Sequence, residues 1–160
     1  PLYVGVGLAV YPTLRLLFVH GDRWAFTIMA LTFLGATSAY FAGRFLGRRK
    51  LHPRLSPKKT WEGSIGGLLG SALVLVVARL WYLPGLEWID VFLLAPLAGA
   101  VGQTGDLFES ALKRSVGVKD SGKILPGHGG LLDRIDALLP TGLFVLGWGL
   151  ARGLFLPLGG

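Results

Sequence analysis

The amino-acid sequence predicts an all-α fold, a polytopic membrane bundle of about five transmembrane helices whose polar cytoplasmic loops form the functional site. Composition is the first reason. The 160 residues are 52% hydrophobic and 16% charged, with a mean hydropathy of +0.58, whereas a soluble domain needs a polar exterior. The second reason is that the charges are bunched into two short windows, which leaves long stretches that must face lipid or protein.

Apolar runs of about 20 residues, the length that crosses a bilayer as a helix, follow one another along the chain. They cover residues 2–19, 24–46, 65–83, 89–105 and 137–158. The glycines inside these runs would destabilise helices in water but permit close helix approach in lipid. We therefore expect the helices to pack on one another, either within one chain or between two copies in a homodimer.

The basic residues indicate which side of the membrane the loops occupy. The net charge is +7 and the pI is about 10.2, but the polar surroundings of a nucleic-acid-binding face are missing, so we expect no nucleic-acid partner. Residues 44–59 carry a run of Lys and Arg with no acidic residue before Glu62, which predicts a cytoplasmic loop. Two crossings later, the loop 106–136 returns to the same side.

That second loop mixes carboxylates and cations at the mouth of apolar helices. It contains Asp106, Glu109, Asp120, Asp133 and Asp136 among Lys113, Arg114, Lys119, Lys123, His128 and Arg134. Such a mixture suits a polyphosphate site, because oxygen ligands hold Mg²⁺ while Lys and Arg neutralise the remaining phosphate oxygens. The absence of cysteine excludes thiolate metal sites and disulfides.

An alternative interpretation is a solvated loop with helical ion pairs, of which Glu109 with Lys113 is an example. Asp106 and Asp133 argue against this interpretation. Each abuts an apolar run, and a carboxylate at membrane depth is costly unless it holds a cation or another partner.

Two further segments are candidates for binding an anion. Consecutive glycines in 126–130 free the backbone to approach a ligand and offer amide donors, although His128 there is equally well explained as a turn residue. In 56–63, Pro57 precedes an expected helix start at 58–62, where Lys58, Lys59 and the hydroxyls of Ser56 and Thr60 would extend a phosphate site. The two lysines could instead serve only to set the topology.

Several motifs in these loops resemble one enzyme family. The blocks S-x-L-K-R (110–114), K-D-x-G (119–122) and L-P-x-H-G-G-L-x-D-R-I-D (125–136) are similar to the signature of the phosphatidate cytidylyltransferase, or CDP-diacylglycerol synthase, family. We find no mismatch in that window. Blocks at 105–110, 56–63 and 39–44 also resemble family motifs, so the resemblance extends from about residue 39 to 136.

The resemblance implies a reaction in which CTP and phosphatidic acid give CDP-diacylglycerol and pyrophosphate. It implies Mg²⁺ as the cofactor and leaves room for a second cation. It implies a multi-pass protein, in the inner or plasma membrane of a bacterium, whose site faces the cytoplasm. The whole chain, 1–160, would be one membrane-embedded catalytic domain, and its start at Pro1 leads us to expect further N-terminal helices in a longer protein.

The resemblance also assigns roles to residues. Asp106, Asp133, Lys113 and Arg114 would be catalytic. Asp106, Asp133, Glu109 and Asp136 would hold the metal. Substrate would bind to Ser56, Lys58, Lys59, Thr60, Lys119, Asp120, His128, Gly129, Gly130 and Arg134.

One departure from the family pattern concerns Ala36, which occupies the place of a usual Asp just before Ala39 and Tyr40. Thr37 and Ser38, which follow it, are candidates to replace that carboxylate in part. Two classes of alternative function therefore stay open. One is a related membrane enzyme that uses CTP on another lipid acceptor, such as a polyprenol kinase or an archaeal-lipid cytidylyltransferase. The other is an inactive homologue or a transporter.

Overall fold

The computed structural model describes residues 2–17, 20–53, 56–115, 117 and 136–154. Five α-helices lie in these ranges, one in each predicted apolar run, which confirms the helical fold class. They are α1 (Leu2–Leu17), α2 (Gly21–Leu46), α3 (Trp61–Trp81), α4 (Trp88–Ser115) and α5 (Leu138–Ala151).

The lengths of these helices bear on the membrane prediction. Helices α2, α3 and α4 have 26, 21 and 28 residues and are apolar enough to cross a bilayer, which makes this a membrane protein. Helices α1 and α5 are also apolar but have 16 and 14 residues within the described ranges. That they too cross the bilayer stays a prediction.

Helix α4 extends ten residues beyond the end expected at 105, so the first part of the predicted loop 106–136 is helical. The charges of 106–115 end the apolar run, but they do not end the helix, because Leu, Ala, Glu, Lys and Arg all favour helix. Glu109 and Lys113 support this turn with an i,i+4 ion pair of 3.3 Å.

A short antiparallel hairpin, absent from the predicted all-helical fold, connects α2 to α3. Strand β1 (Lys50–His52) pairs with β2 (Ser56–Thr60) in a register that places Lys50 opposite Thr60. The expected helix start at 58–62 was therefore wrong for the two lysines, which lie on β2. The helix begins at Trp61, because the Thr60 hydroxyl caps it by accepting the Gly63 N–H at 3.1 Å.

The contact between α2 and α3 is built from small residues. A Cβ added to Gly63 would lie 2.8 Å from the Ala39 carbonyl oxygen and 3.1 Å from the Gly43 Cα, and one added to Gly67 would lie 3.1 Å from the Gly35 carbonyl oxygen. The two backbones therefore approach too closely for larger side chains, as in other membrane helix pairs.

At the end of the bundle opposite the hairpin, buried Asp90 joins α4 to α5. Its carboxylate accepts hydrogen bonds from Trp148 Nε1 at 3.0 Å and from Arg152 Nε at 2.9 Å. Arg152 also pairs with Glu87 at 2.8 Å. Between the two ends lies an apolar core to which all five helices contribute fully buried side chains, namely Leu14, Ile28, Leu75, Leu94 and Leu139.

We predict that Gly63→Leu destabilises the protein, because the side chain would force α2 away from α3. Overpacking of this kind costs about 1–3 kcal/mol, which corresponds to a melting temperature lower by about 3–10 °C for a chain of this size. Gly147→Leu is the matched control, since a Cβ at Gly147 meets nothing within 4 Å. Thermal unfolding in detergent measures both variants, and equal melting temperatures would contradict the packing described above.

Candidate functional site

A cavity of about 540 Å³ opens between α2, α3, α4 and the start of α5. Many of its wall residues have little or no side chain, and the missing side chains leave this space between closely packed helices. The glycines and alanines of the wall are Gly35, Ala36, Ala39, Gly43, Gly63, Gly67, Ala98, Gly99, Gly102 and Ala137.

The mouth of the cavity is charged and lies at the hairpin end. Arg44, Lys58, Lys59 and Asp106 line it. The Lys59 ammonium lies 2.6 Å from the Asp106 carboxylate, and the two side chains are 27% and 40% exposed. The structure thus brings the first predicted loop and the start of the second together, as the alternation of crossings predicted.

Thr60 connects this mouth to the start of α3. Its side chain lines the cavity and is 6% exposed, and its hydroxyl caps the helix whose N-terminus begins there. A helix N-terminus favours anions because its first N–H groups point outward with the positive end of the helix dipole. Thr60, Lys58 and Lys59 are therefore together at the mouth, as expected from the sequence.

Ser56, in contrast, lies at the other end of β2, opposite His52, and is not part of the cavity wall. Lys113 and Arg114 lie on the last turn of α4 and are also not part of that wall. The calls on Asp133, Lys119, Asp120, His128, Gly129, Gly130 and Arg134 fall outside the described residues.

Further into the cavity, a polar pair that sequence reasoning missed joins α3 to α4. Gln103 Nε2 donates to the Ser64 carbonyl oxygen at 3.0 Å, and Gln103 Oε1 accepts from the Ser64 hydroxyl. The available signal was a lone amide inside an apolar run, three residues before Asp106 and therefore on the same helix face. Arg44 was also missed as a site residue, although it ends a block that resembles a family motif, because its charge was interpreted as a topology signal.

An acidic pair lies beside the mouth, where α4 meets the start of α5. Glu109 is 2% exposed, and its carboxyl group shares a hydrogen bond with that of Asp136. The two come together because Gly105 lets the chains approach, since a Cβ there would lie 3.0 Å from the Asp136 carbonyl oxygen. Asp136 also accepts the Ala137 N–H at 2.6 Å.

Burial raises the pKa of the Asp136 carboxyl, and the negative charge of Asp106 acts in the same direction, while the hydrogen bond with Glu109 opposes it. The carboxyl groups of Asp106 and Glu109 thus both act on that of Asp136, and oxygen donors of this kind suit a hard cation such as Mg²⁺. Among the described residues, however, no three such side chains converge closely enough to hold a metal ion. The magnesium site stays a prediction.

Ala36, the departure from the expected pattern, lies in the cavity wall. A carboxylate missing at this position is therefore missing from the site itself. The hydroxyl of Thr37 donates to the Phe33 carbonyl oxygen at 2.8 Å, and Ser38 faces Gly70 of α3. Neither belongs to the wall, so the idea that they partly replace the carboxylate there has no support in this geometry.

Comparison with known proteins agrees with the resemblance. A family model described as the cytidylyltransferase family matches residues 2–148. Proteins named phosphatidate cytidylyltransferase are 44% identical in Staphylococcus haemolyticus, 40% in Bacillus subtilis and 47% in Brucella abortus. These matches cover 86%, 86% and 84% of the chain and 52%, 51% and 52% of the relatives. The chain thus spans about half the length of the curated relatives it matches.

We predict that Asp136→Asn raises the melting temperature at neutral pH when divalent cations are removed with EDTA. A carboxyl whose pKa is raised by folding destabilises the folded state as the pH rises above the ordinary Asp value of about 4. The full loss of folding stability is present once the pH exceeds the raised pKa of the Asp136 carboxyl. Asparagine carries no such charge, so the gain should be present at pH 7.5 and vanish near pH 4. A variant less stable than the wild type at pH 7.5 would contradict the burial of this carboxyl.

Proposed function

We propose that this chain, which belongs to the cytidylyltransferase family, forms the catalytic part of an enzyme that makes CDP-diacylglycerol and pyrophosphate from CTP and phosphatidic acid. The names of its relatives describe a transfer of this kind. The cavity is the observation that carries the proposal. It joins a basic mouth to a mostly apolar interior within the membrane, which suits a reaction between a water-soluble triphosphate and a lipid.

The triphosphate of CTP would bind at the mouth, where the described residues include three cationic side chains and one carboxylate. The guanidinium of Arg44 can bind phosphate oxygens in a bidentate manner, and Lys58 and Lys59 add compact positive charges. Before nucleotide binds, the ion pair with Asp106 holds the Lys59 ammonium at the mouth. The N-terminus of α3 adds the partial positive charge of its first amides.

In the proposed reaction, a phosphate oxygen of phosphatidate attacks the α-phosphorus of CTP. A bond forms between these two atoms, the bond from the α-phosphorus to the next bridging oxygen breaks, and pyrophosphate leaves with that electron pair. A phosphomonoester has a second pKa near 6, so phosphatidate is largely dianionic at neutral pH and needs no general base. The protein then has to position the reactants and neutralise charge.

Magnesium is part of this proposal. Asp106, Glu109 and Asp136 would hold it together with Asp133, which lies outside the described residues. A bound cation would neutralise negative charge on the phosphates. Lys113 pairs with Glu109 at 3.3 Å and would keep this buried acidic region neutral enough to fold. A second cation and a homodimer are further expectations of the same proposal.

We also propose a multi-pass topology in which the hairpin end faces the cytoplasm, in the plasma or inner membrane if the source is bacterial. Arg48, Arg49 and Lys50 lie at this end with the mouth of the cavity, and basic residues are retained on the cytoplasmic side. The opposite end carries the paired charges of Glu87, Asp90 and Arg152. This orientation would give the mouth access to cytosolic CTP.

We predict that Asp106→Asn and Lys59→Met each lower CDP-diacylglycerol formation at least about 100-fold, the order expected for losing a preorganised charge at a reacting phosphate. Glu87→Gln, at the opposite end, is the matched control and should retain activity. The measurement is product formation from CTP and phosphatidate with Mg²⁺, using the protein at its full natural length. Activity close to wild type in Asp106→Asn would overturn the role assigned to that carboxylate.

The lipid acceptor provides a separate test. Phosphatidate, an archaeal ether-lipid phosphate and a polyprenol are offered in parallel. The enzyme should form CDP-diacylglycerol at least about tenfold faster than it forms a CDP-linked ether lipid or a phosphorylated polyprenol, because one kind of acceptor contact typically discriminates by about 10- to 200-fold. A preference for either of the other lipids would favour a related membrane enzyme. No product from any acceptor would favour an inactive homologue.

A further inference from the structure

Glu62 is the first acidic residue after the basic run of residues 44–59, and it is not part of the cavity wall. Its carboxylate binds two consecutive backbone N–H groups. Oε2 accepts the Arg48 N–H at 3.1 Å, and both carboxylate oxygens lie 3.3 Å from the Arg49 nitrogen and share its N–H. Both oxygens of one side chain are therefore used to hold one short piece of backbone.

These two N–H groups lie in the turn between α2, which ends at Leu46, and β1, which begins at Lys50. Neither helix nor strand provides them with a partner, and among the described residues no backbone carbonyl accepts either of them. A hydrogen bond to an ionised acceptor is about twice as strong as one between neutral groups. The Glu62 carboxylate is therefore the group that holds this turn in place.

The turn lies where the chain leaves α2, and it is held against the place where the chain enters α3. The Trp61 N–H donates to the Arg49 carbonyl oxygen at 3.0 Å, and Lys50 lies opposite Thr60 in the hairpin. Glu62 adds the contact nearest to α2. The hairpin is thus closed at its base, and Glu62 ties the end of α2 to the first turn of α3.

This base sets the position of the two sides of the mouth relative to each other. Arg44 reaches the mouth from the last turn of α2, four residues before Arg48, whereas Lys58 and Lys59 reach it from β2. Leu51 of β1 also lines the cavity, so the hairpin is part of the wall. Groups that are already ordered bind a ligand more tightly, because no ordering is needed when the ligand arrives.

We propose that Glu62 is a positioning residue for the triphosphate, which keeps Arg44 of α2 and the lysines of the hairpin aligned around one anion. The inference rests on the proposed use of CTP and adds a residue that acts without touching the substrate. The charge of Glu62 makes the two possible roles opposite in sign. A negative charge near a basic mouth repels a triphosphate, so by charge alone its removal would tighten CTP binding. Loss of positioning weakens it.

The experiment measures the KM for CTP and the KM for phosphatidate in the full-length enzyme. Glu62→Met keeps an unbranched side chain that favours helix but has no oxygen to accept the two N–H groups. The KM for CTP should rise at least about fivefold, the factor that corresponds to losing one net hydrogen bond. The KM for phosphatidate should stay unchanged. A KM for CTP that is unchanged or lower would overturn the inference.

A matched pair of variants at Arg48 tests the other partner of the contact. Arg48→Pro and Arg48→Ala both lose the guanidinium, but only proline lacks the backbone N–H that Glu62 binds. Gly47 has a φ of −64° and a ψ of 118°, the extended conformation that suits a residue before proline. The KM for CTP should be at least about threefold higher in Arg48→Pro than in Arg48→Ala, because one hydrogen bond is lost. Equal values would contradict the proposed role.

The outcomes separate this inference from the proposed function. A wild-type enzyme that forms no product from CTP overturns the proposed function and this inference with it. KM does not depend on how much of the protein is folded, so a contact that serves only stability would lower the melting temperature and the yield of active enzyme but leave KM unchanged. That result, or an equal rise in KM for both substrates in Glu62→Met, would overturn the inference alone.

Discussion

The close approach of α2 and α3 is the constraint on which the rest of the structure depends. Gly63 and Gly67 of α3 face Gly35, Ala39 and Gly43 of α2 with backbone atoms almost in contact. Lipid offers no hydrophobic force between helices, so such contacts supply much of the packing energy of a membrane protein. The same small residues leave the space that becomes the cavity. Stability and the site thus come from one feature.

Each end of the helix bundle contains an ion pair. Carboxylates at or near membrane depth are costly unless paired, and both ends contain such pairs. Lys59 with Asp106 lies at one end, and Arg152 with Asp90 lies at the other. They differ in exposure, because Asp90 is 0% exposed whereas the Asp106 side chain is 40% exposed. The buried carboxylate of Asp90 is suited to holding helices together, and the more exposed carboxylate of Asp106 is suited to meeting a ligand.

Helix α4 carries most of the site. Gln103, Asp106 and Glu109 follow one another at intervals of three, so one continuous helix presents an amide, an exposed carboxylate and a buried carboxylate along neighbouring turns. The spacing of Asp106 and Glu109 already put both on one face of any helix there, but the apolar run was predicted to end at 105, and Gln103 was not joined to them. Hydropathy marks where a helix leaves the apolar layer, but it does not mark where the helix ends. Ala36 faces the same cavity from α2, where it presents a methyl group instead of a carboxylate.

The sequence by itself determined the membrane class, the five helices and the set of charged residues, because bilayer length and the cost of charge in lipid are properties of local composition. It also carried the motifs by which the family is recognised. Tertiary structure alone decided that a hairpin carries Lys58 and Lys59, that Lys59 meets Asp106, and that Gln103 is held by Ser64. These contacts join residues far apart in the chain, and no local pattern encodes the distance between two helices.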